Sequence, residues 1–218
     1  MPPDWREKAM ENVARTRNTL SKQKVDVVIN ADETFLLFHP FGQWLIAPTG
    51  IKCIRTAVQV DNEKWGVTVM ISCEYWMSSI LPPMIIFMGV YCVKWMKQNE
   101  DDTTNTSIIL EFVDEGLTPI IQVPDIAVNK VFKAGVKQRY HQYRSTLPVA
   151  IGEKVVVSCE MLVDFVLDTI WEINGDNNEH QFIAESFRRC GLNPWCREKS
   201  LEAFHNHLEA LKKNTCYK

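Results

Sequence analysis

The clearest pattern in the chain is an apolar run that stops in acid: Val25-Asp26-Val27-Val28-Ile29 leads into Asn30-Ala31-Asp32-Glu33-Thr34. β-branched residues dominate Val25 to Ile29, and a near-continuous apolar stretch suits a strand covered on both faces in a parallel or mixed sheet. It reads as a buried strand that delivers Asp32 to a sheet edge, where ligand and metal sites collect. Upstream, Asp4 to Lys22 spaces Trp5, Met10, Val13 and Leu20 among charges as a surface helix does. Downstream, Ile54 to Val60 and Val67 to Trp76 read as strands around a polar Asp61-Asn62-Glu63-Lys64 turn. Met84 to Met88 reads as a further strand entered through Pro82-Pro83.

Gln98 to Ser107 is wholly polar and separates this block from a short apolar run, Ile108 to Val113, which reads as another strand. Leu117 to Pro124 carries two prolines and reads as a loop. Ile126 to Arg144 then has helical spacing through Val128, Val131, Phe132, Val136 and Tyr140, with Asp125 placed as its N-cap. Beyond Leu147 the pattern is helical. Ser158 can cap Glu160 to Ile173, Asn177 or Asn178 can begin a second helix, Gly191 can end it, and Ser200 can cap a last one. Without an internal repeat, the chain divides into an N-terminal helix (1–24), an α/β region (25–147) and a C-terminal helical region (148–218).

Composition narrows this picture. With 218 residues, 46% of them hydrophobic, the chain can bury one full core. The tryptophans, Trp44, Trp76 and Trp171 among them, read as packing residues. Seven scattered cysteines without a C-x-x-C pair, and a start without an apolar leader, predict a nuclear or cytoplasmic protein that is not secreted. The most apolar segment, Ile80 to Met96, is broken by Pro82-Pro83 and Lys94 and is shorter than the roughly 20 residues that span a bilayer. No membrane partner is expected.

A net charge of −3 gives no global attraction to nucleic acid, so such binding needs a local basic surface. The helix after Asp125 offers one. Lys130, Lys133, Lys137 and Arg144 share a helical face, and Arg139, His141, Tyr140 and Tyr143 lie among them. Such a face suits phosphate contact that depends on salt and not on sequence. Cys190, Cys196, His205 and His207 fit no common zinc finger, and histidines two apart on a helix point to different sides.

Three motifs in order carry a resemblance: Asn30-Ala31-Asp32-Glu33-Thr34, then Gly66-Val67-Thr68-Val69-Met70, then Leu81-Pro82-Pro83-Met84-Ile85-Ile86-Phe87. Ile121-Gln122-Val123-Pro124-Asp125 leading into Phe132-Lys133, and Ser186-Phe187-Arg188-Arg189-Cys190-Gly191-Leu192, extend it. Over most of Val25 to Gly191 the chain resembles the DDE superfamily endonuclease domain of pogo-like and jerky-like transposases. The resemblance implies an α/β, RNase H-like mixed sheet with flanking helices. It also implies three acids that bind two Mg²⁺ or Mn²⁺ ions for phosphodiester cleavage. By motif match Asp32 is the first acid and Asp125 the third, and both are the implied metal ligands.

The second acid should end an apolar strand a few dozen residues before the third. Met96 instead runs into the polar stretch, so the fourth strand and its acid are missing. Asp101 and Asp102 have no strand behind them. Asp114, at the end of Ile108 to Val113, is better placed but lies close in sequence to Asp125. Val123 also separates Gln122 from Pro124, which the family usually joins. The helix-turn-helix that recognises transposon ends is not found ahead of a first-acid motif that begins about 30 residues in. The implied function is a transposase-derived nucleic-acid-binding domain, catalytically impaired, with weak and non-specific affinity for DNA. The alternatives are an active Mg²⁺-dependent DNA endonuclease whose site is completed by Asp114 or another chain, and a non-functional transposon relic.

Overall fold

The computed structural model describes residues 4–23, 25–37, 66–87, 109–148, 155, 157–193 and 197–215. Helix α1 (Trp5–Lys22) matches the expected surface helix and buries Ala9, Asn12 and Val13, a stripe at helical spacing. Strand β1 (Ile29–Leu37) begins where the expected strand ends, so Asp32 lies within it and not at its tip. The side chains explain the shift. Asp32, Thr34 and Leu36 turn inward and Ala31, Glu33 and Phe35 outward, the period of two that a half-buried strand requires. Val27 and Ile29, in the run that looked buried, are exposed.

Strand β2 (Gly66–Glu74) pairs antiparallel with β1, with Asp32 opposite Ile71. Strands β3 (Ser79–Ile80) and β4 (Met84–Phe87) both pair antiparallel with the other edge of β2. Pro82 and Pro83 separate them, because neither can donate to a ladder. The molecule is therefore mixed α/β with a small antiparallel sheet of four strands and several helices. Every strand pairing among the described residues is antiparallel, where the sequence suggested a parallel or mixed sheet. The expected Ile54 to Val60 strand, the Asp61 to Lys64 turn, Trp44 and the polar Gln98 to Ser107 stretch lie outside the described residues.

Residues 109–114 form no strand. The carbonyl of Phe112 accepts hydrogen bonds from Asn12 Nδ2 (3.2 Å) and Arg15 Nη2 (3.1 Å), so side chains of α1 replace the ladder partners that a strand would use. Leu110 and Phe112 are left exposed. The expected proline loop contains a helical turn, α2 (Thr118–Ile121), with Pro119 in its first turn where a missing N–H is harmless. A π-helical turn (Pro124–Val128) then leads into α3 (Asn129–Thr146).

Ser158 caps α4 (Cys159–His180) as expected, its Oγ accepting from the Met161 N–H at 3.2 Å. That helix runs on through Asn177 and Asn178 and breaks only at Gln181, which takes a left-handed φ of 48°. Helix α5 (Phe182–Arg189) ends as predicted at Gly191, φ 72°, with the Leu192 N–H closing onto the Phe187 carbonyl at 2.9 Å. Ser200 is not a cap. It sits buried inside α6 (Arg197–Thr215) and its Oγ donates to the Arg188 carbonyl at 3.3 Å.

Two apolar clusters form the core. One joins Val67, Val69 and Ile71 of β2 to Phe132 of α3, Val166 of α4 and Phe187 of α5. The other joins Val13 of α1 and Ile120 of α2 to Phe204 and Leu208 of α6. Helices α4 and α5 thus share a core with the sheet, while α6 packs in the other cluster. Trp76 and Trp171 pack in neither cluster and are 72% and 79% exposed, contrary to the packing role that their type suggested. Among the described residues no helix is long and apolar enough to cross a membrane.

Candidate functional site

Two polar side chains fasten the segment after α2 to β1. The Val123 N–H donates to Asn30 Oδ1 at 2.9 Å, and Gln122 Nε2 donates to the Ala31 carbonyl at 2.8 Å. The chain then enters the π-helical turn at Pro124, and Asp125 arrives beside Asp32. The Asn129 side chain joins them. Its Nδ2 donates to Asp32 Oδ2 at 3.1 Å and to Asp125 Oδ1 at 2.8 Å, the first of these bonds spanning 97 residues of sequence. Asn129 is buried, Asp32 half-buried and Asp125 exposed.

Burial, and then the like charge of Asp125, hold the Asp32 carboxyl above its ordinary range; the hydrogen bond from Asn129 works against both. Asp125 makes no capping bond of its own, contrary to the N-cap expectation. The π-helical turn begins one residue earlier, at Pro124, and places Asp125 one turn before Asn129, so its carboxylate meets that amide rather than free backbone N–H groups. Glu33 faces outward, as alternation along the strand predicts.

Among the described residues no group of three or more His, Cys, Asp or Glu side chains converges. Asp101 and Asp102 lie outside the described residues. Asp114 is held by Arg15 of α1, with Arg15 Nη2 3.0 Å from Asp114 Oδ1, and that guanidinium keeps its carboxyl below the ordinary range. Completion of the pair by Asp114 would require this contact to break.

The donor set suits a hard cation. The two carboxylates offer oxygen ligands, as Mg²⁺ and Mn²⁺ prefer, while the Asn129 amide presents its nitrogen to them. Moreover, Oδ1 of buried Asn129 has no hydrogen-bond partner among the described residues. Two carboxylates could hold one divalent ion. A second ion would lack its protein carboxylate.

The basic face follows directly. Lys130 and Lys133 are exposed, Lys137 and Arg144 half-buried, and none of the four is ion-paired among the described residues. Lys137 and His141 border a shallow depression of about 510 Å³. Arg139 is turned the other way, binding Thr169 Oγ1 at 3.0 Å and Glu172 Oε2 at 2.7 Å on α4, so it does not belong to the basic surface. Lys133 is one turn beyond Asn129, roughly 6 Å along the axis at 1.5 Å per residue. The cationic stripe therefore begins at the carboxylate pair.

Of the cysteines and histidines weighed for zinc, Cys196 lies outside the described residues. Cys73 and Cys190 are buried, and burial pushes the Cys73 thiol up to about 12. His207 is buried against the Ile120 carbonyl and His205 is exposed, on different sides of α6. Sequence reasoning missed Asn129, Gln122 and Asn30, three amides that assemble the site. The available signal was Asn129 itself, the one neutral polar residue from Ile126 to Lys137, at i+4 from Asp125. No family model, no curated protein and no solved structure matches the chain.

Proposed function

We propose that the chain is a nucleic-acid-binding domain of DDE transposase descent, RNase H-like in its ancestry, that holds DNA weakly and without sequence preference. It keeps the remnant of a cation site and lacks efficient cleavage. The observation that carries this reading is the meeting of Asp32 and Asp125 across Asn129 at the head of a basic helix. These are the two acids that the motif resemblance pairs, and they come from segments far apart in sequence.

The residues divide the work. Lys130, Lys133, Lys137 and Arg144 can follow a phosphate backbone along α3, while the carboxylates alone would repel it. A bound Mg²⁺ or Mn²⁺ would neutralise the pair and polarise a phosphate oxygen. Asp32 and Asp125 would hold it, and Asn30 and Gln122 keep the two segments in place. Efficient cleavage calls for stabilising both the attacking and the leaving oxygen, which a two-acid site does poorly.

Fluorescence anisotropy with a labelled duplex tests the binding. Each phosphate contact adds about −0.9 to the slope of log affinity against log salt. Replacing Lys130, Lys133 and Lys137 together by alanine should flatten the slope by roughly 2–3. An unchanged slope would remove α3 from the interface. A nicking assay with Mg²⁺ or Mn²⁺ tests the chemistry: no cleavage above background is expected, and cleavage abolished by Asp32→Ala would overturn the impaired assignment.

A further inference from the structure

Two buried side-chain oxygens, Oδ1 of Asn129 and Oε1 of Gln122, have no hydrogen-bond partner among the described residues. Both residues fasten to β1 at Ala31 or Asp32 through their amide nitrogens. Asn129 is only 8% exposed, and its amide is already aimed at the two carboxylates. Buried acceptors are seldom left unpaired, so Oδ1 calls for a partner. A carboxamide carries its oxygen and nitrogen on one carbon, and a half-turn about χ2 exchanges them.

We propose that Asn129 is the third oxygen ligand of a single divalent cation held between Asp32 and Asp125, in the role that a second acid would fill. The proposal deepens the reading above and rests on it for the two carboxylates. Without a cation, Nδ2 clamps the pair and offsets part of their repulsion. With a cation, the half-turn brings Oδ1 to the metal. One buried polar atom of the amide is unpaired in either state, so the turn gives up only the two hydrogen bonds to carboxylates whose charge the cation then neutralises. Two negative ligands and one neutral ligand match a double positive charge, and the all-oxygen set selects Mg²⁺, Mn²⁺ or Ca²⁺ over softer ions. Gln122 is a positioning residue, fixing β1 against the turn through Ala31.

The test is a Mn²⁺ titration of the full chain, followed by electron paramagnetic resonance in the absence of DNA. Circular dichroism melts of each variant verify folding. The wild type should bind one Mn²⁺ saturably. Asn129→Leu, which keeps the size and removes the oxygen, should weaken binding at least tenfold. Asn129→Asp, which adds a third carboxylate, should strengthen it at least tenfold and show a melting temperature that rises with Mn²⁺. If one variant does not fold, the other decides. Equal affinity in the wild type and a folded variant would overturn the proposal, as would no saturable binding up to roughly 10 mM, beyond the weak end of protein cation sites. Anisotropy in EDTA separates the two readings: DNA binding that survives loss of Mn²⁺ binding leaves the nucleic-acid assignment standing, and the converse leaves the cation site standing.

Discussion

Asp32 is both the centre of the candidate site and a burden on the fold. Burial and the charge of Asp125 raise its pKa above the ordinary 3.8, so the folded chain holds that proton to a higher pH than the unfolded chain does. The resulting stabilisation is complete below the unfolded value and is lost as pH rises through the folded one. At neutral pH the charged pair is therefore a net liability. Asp32→Asn keeps an oxygen for the Asn129 amide and removes the repulsion. It should stabilise the chain by about 0.5 kcal/mol after allowance for solvent screening, ~1–2 °C in melting temperature at pH 7. The gain over wild type should shrink as pH approaches 3.8; a loss at pH 7 would show that the charge is not under strain. Asp32 and Asp125 were singled out in the sequence by their place in a motif resemblance, and the structure sets them side by side. Asn129 was not, because its i+4 spacing from Asp125 says nothing of Asp32 until folding brings that residue to it.

At the scale of elements, the contact of α3 with α4 shows packing overruling propensity. Gly135 sits mid-helix, where alanine would ordinarily be better by roughly 0.5–1 kcal/mol. A Cβ there, however, would lie 2.5 Å from Thr169 Cγ2. Thr169 cannot easily yield, because its Oγ1 donates to the Phe165 carbonyl at 2.6 Å and accepts from Arg139 Nε at 3.0 Å. Gly135→Ala should destabilise the chain by about 1–2 kcal/mol, and adding Thr169→Ala should recover part of the loss in a denaturant double-mutant cycle. Additive losses would place the strain elsewhere. Elements with a strong period or a clear stop were legible: α1, α3, the Ser158 cap and the Gly191 terminus. The short apolar runs were not. Val25 to Ile29 reads as the strand itself, yet β1 begins only at Ile29; Ile108 to Val113 reads as a strand, yet the described 109–114 instead lean on side chains of α1. A short, mostly apolar run does not say which neighbour will satisfy its backbone.

For the whole molecule, the α1–α2–α6 cluster is tied together by a buried polar contact as well as by its apolar side chains, and His207 makes that contact between α6 and α2. It projects from α6 onto the Ile120 carbonyl of α2, Nε2 to oxygen 3.1 Å, just ahead of the segment that Asn30 and Gln122 fasten to β1. Burial lowers its pKa from the ordinary 6.5; the carbonyl bond opposes that shift, and the nearby Arg189 charge adds to it. The neutral ring is thus the form that the fold accepts, donating from Nε2. Because the folded pKa lies below the unfolded one, the stability linked to His207 is fully present above pH 6.5 and is lost as pH falls through the folded value. The melting temperature should hold steady from pH 8 to 7 and then decline by ~2–4 °C toward pH 5, about 1 kcal/mol once screening is allowed for. His207→Gln can still donate to Ile120 and cannot ionise, so its profile should be flatter across that range. A variant that declines as steeply as the wild type would move the acid sensitivity to another group and leave His207 as a packing residue. The window is separable from that of Asp32: acidification relieves the carboxylate pair while it penalises the histidine, so Asp32→Asn should leave the decline between pH 6.5 and 5 in place.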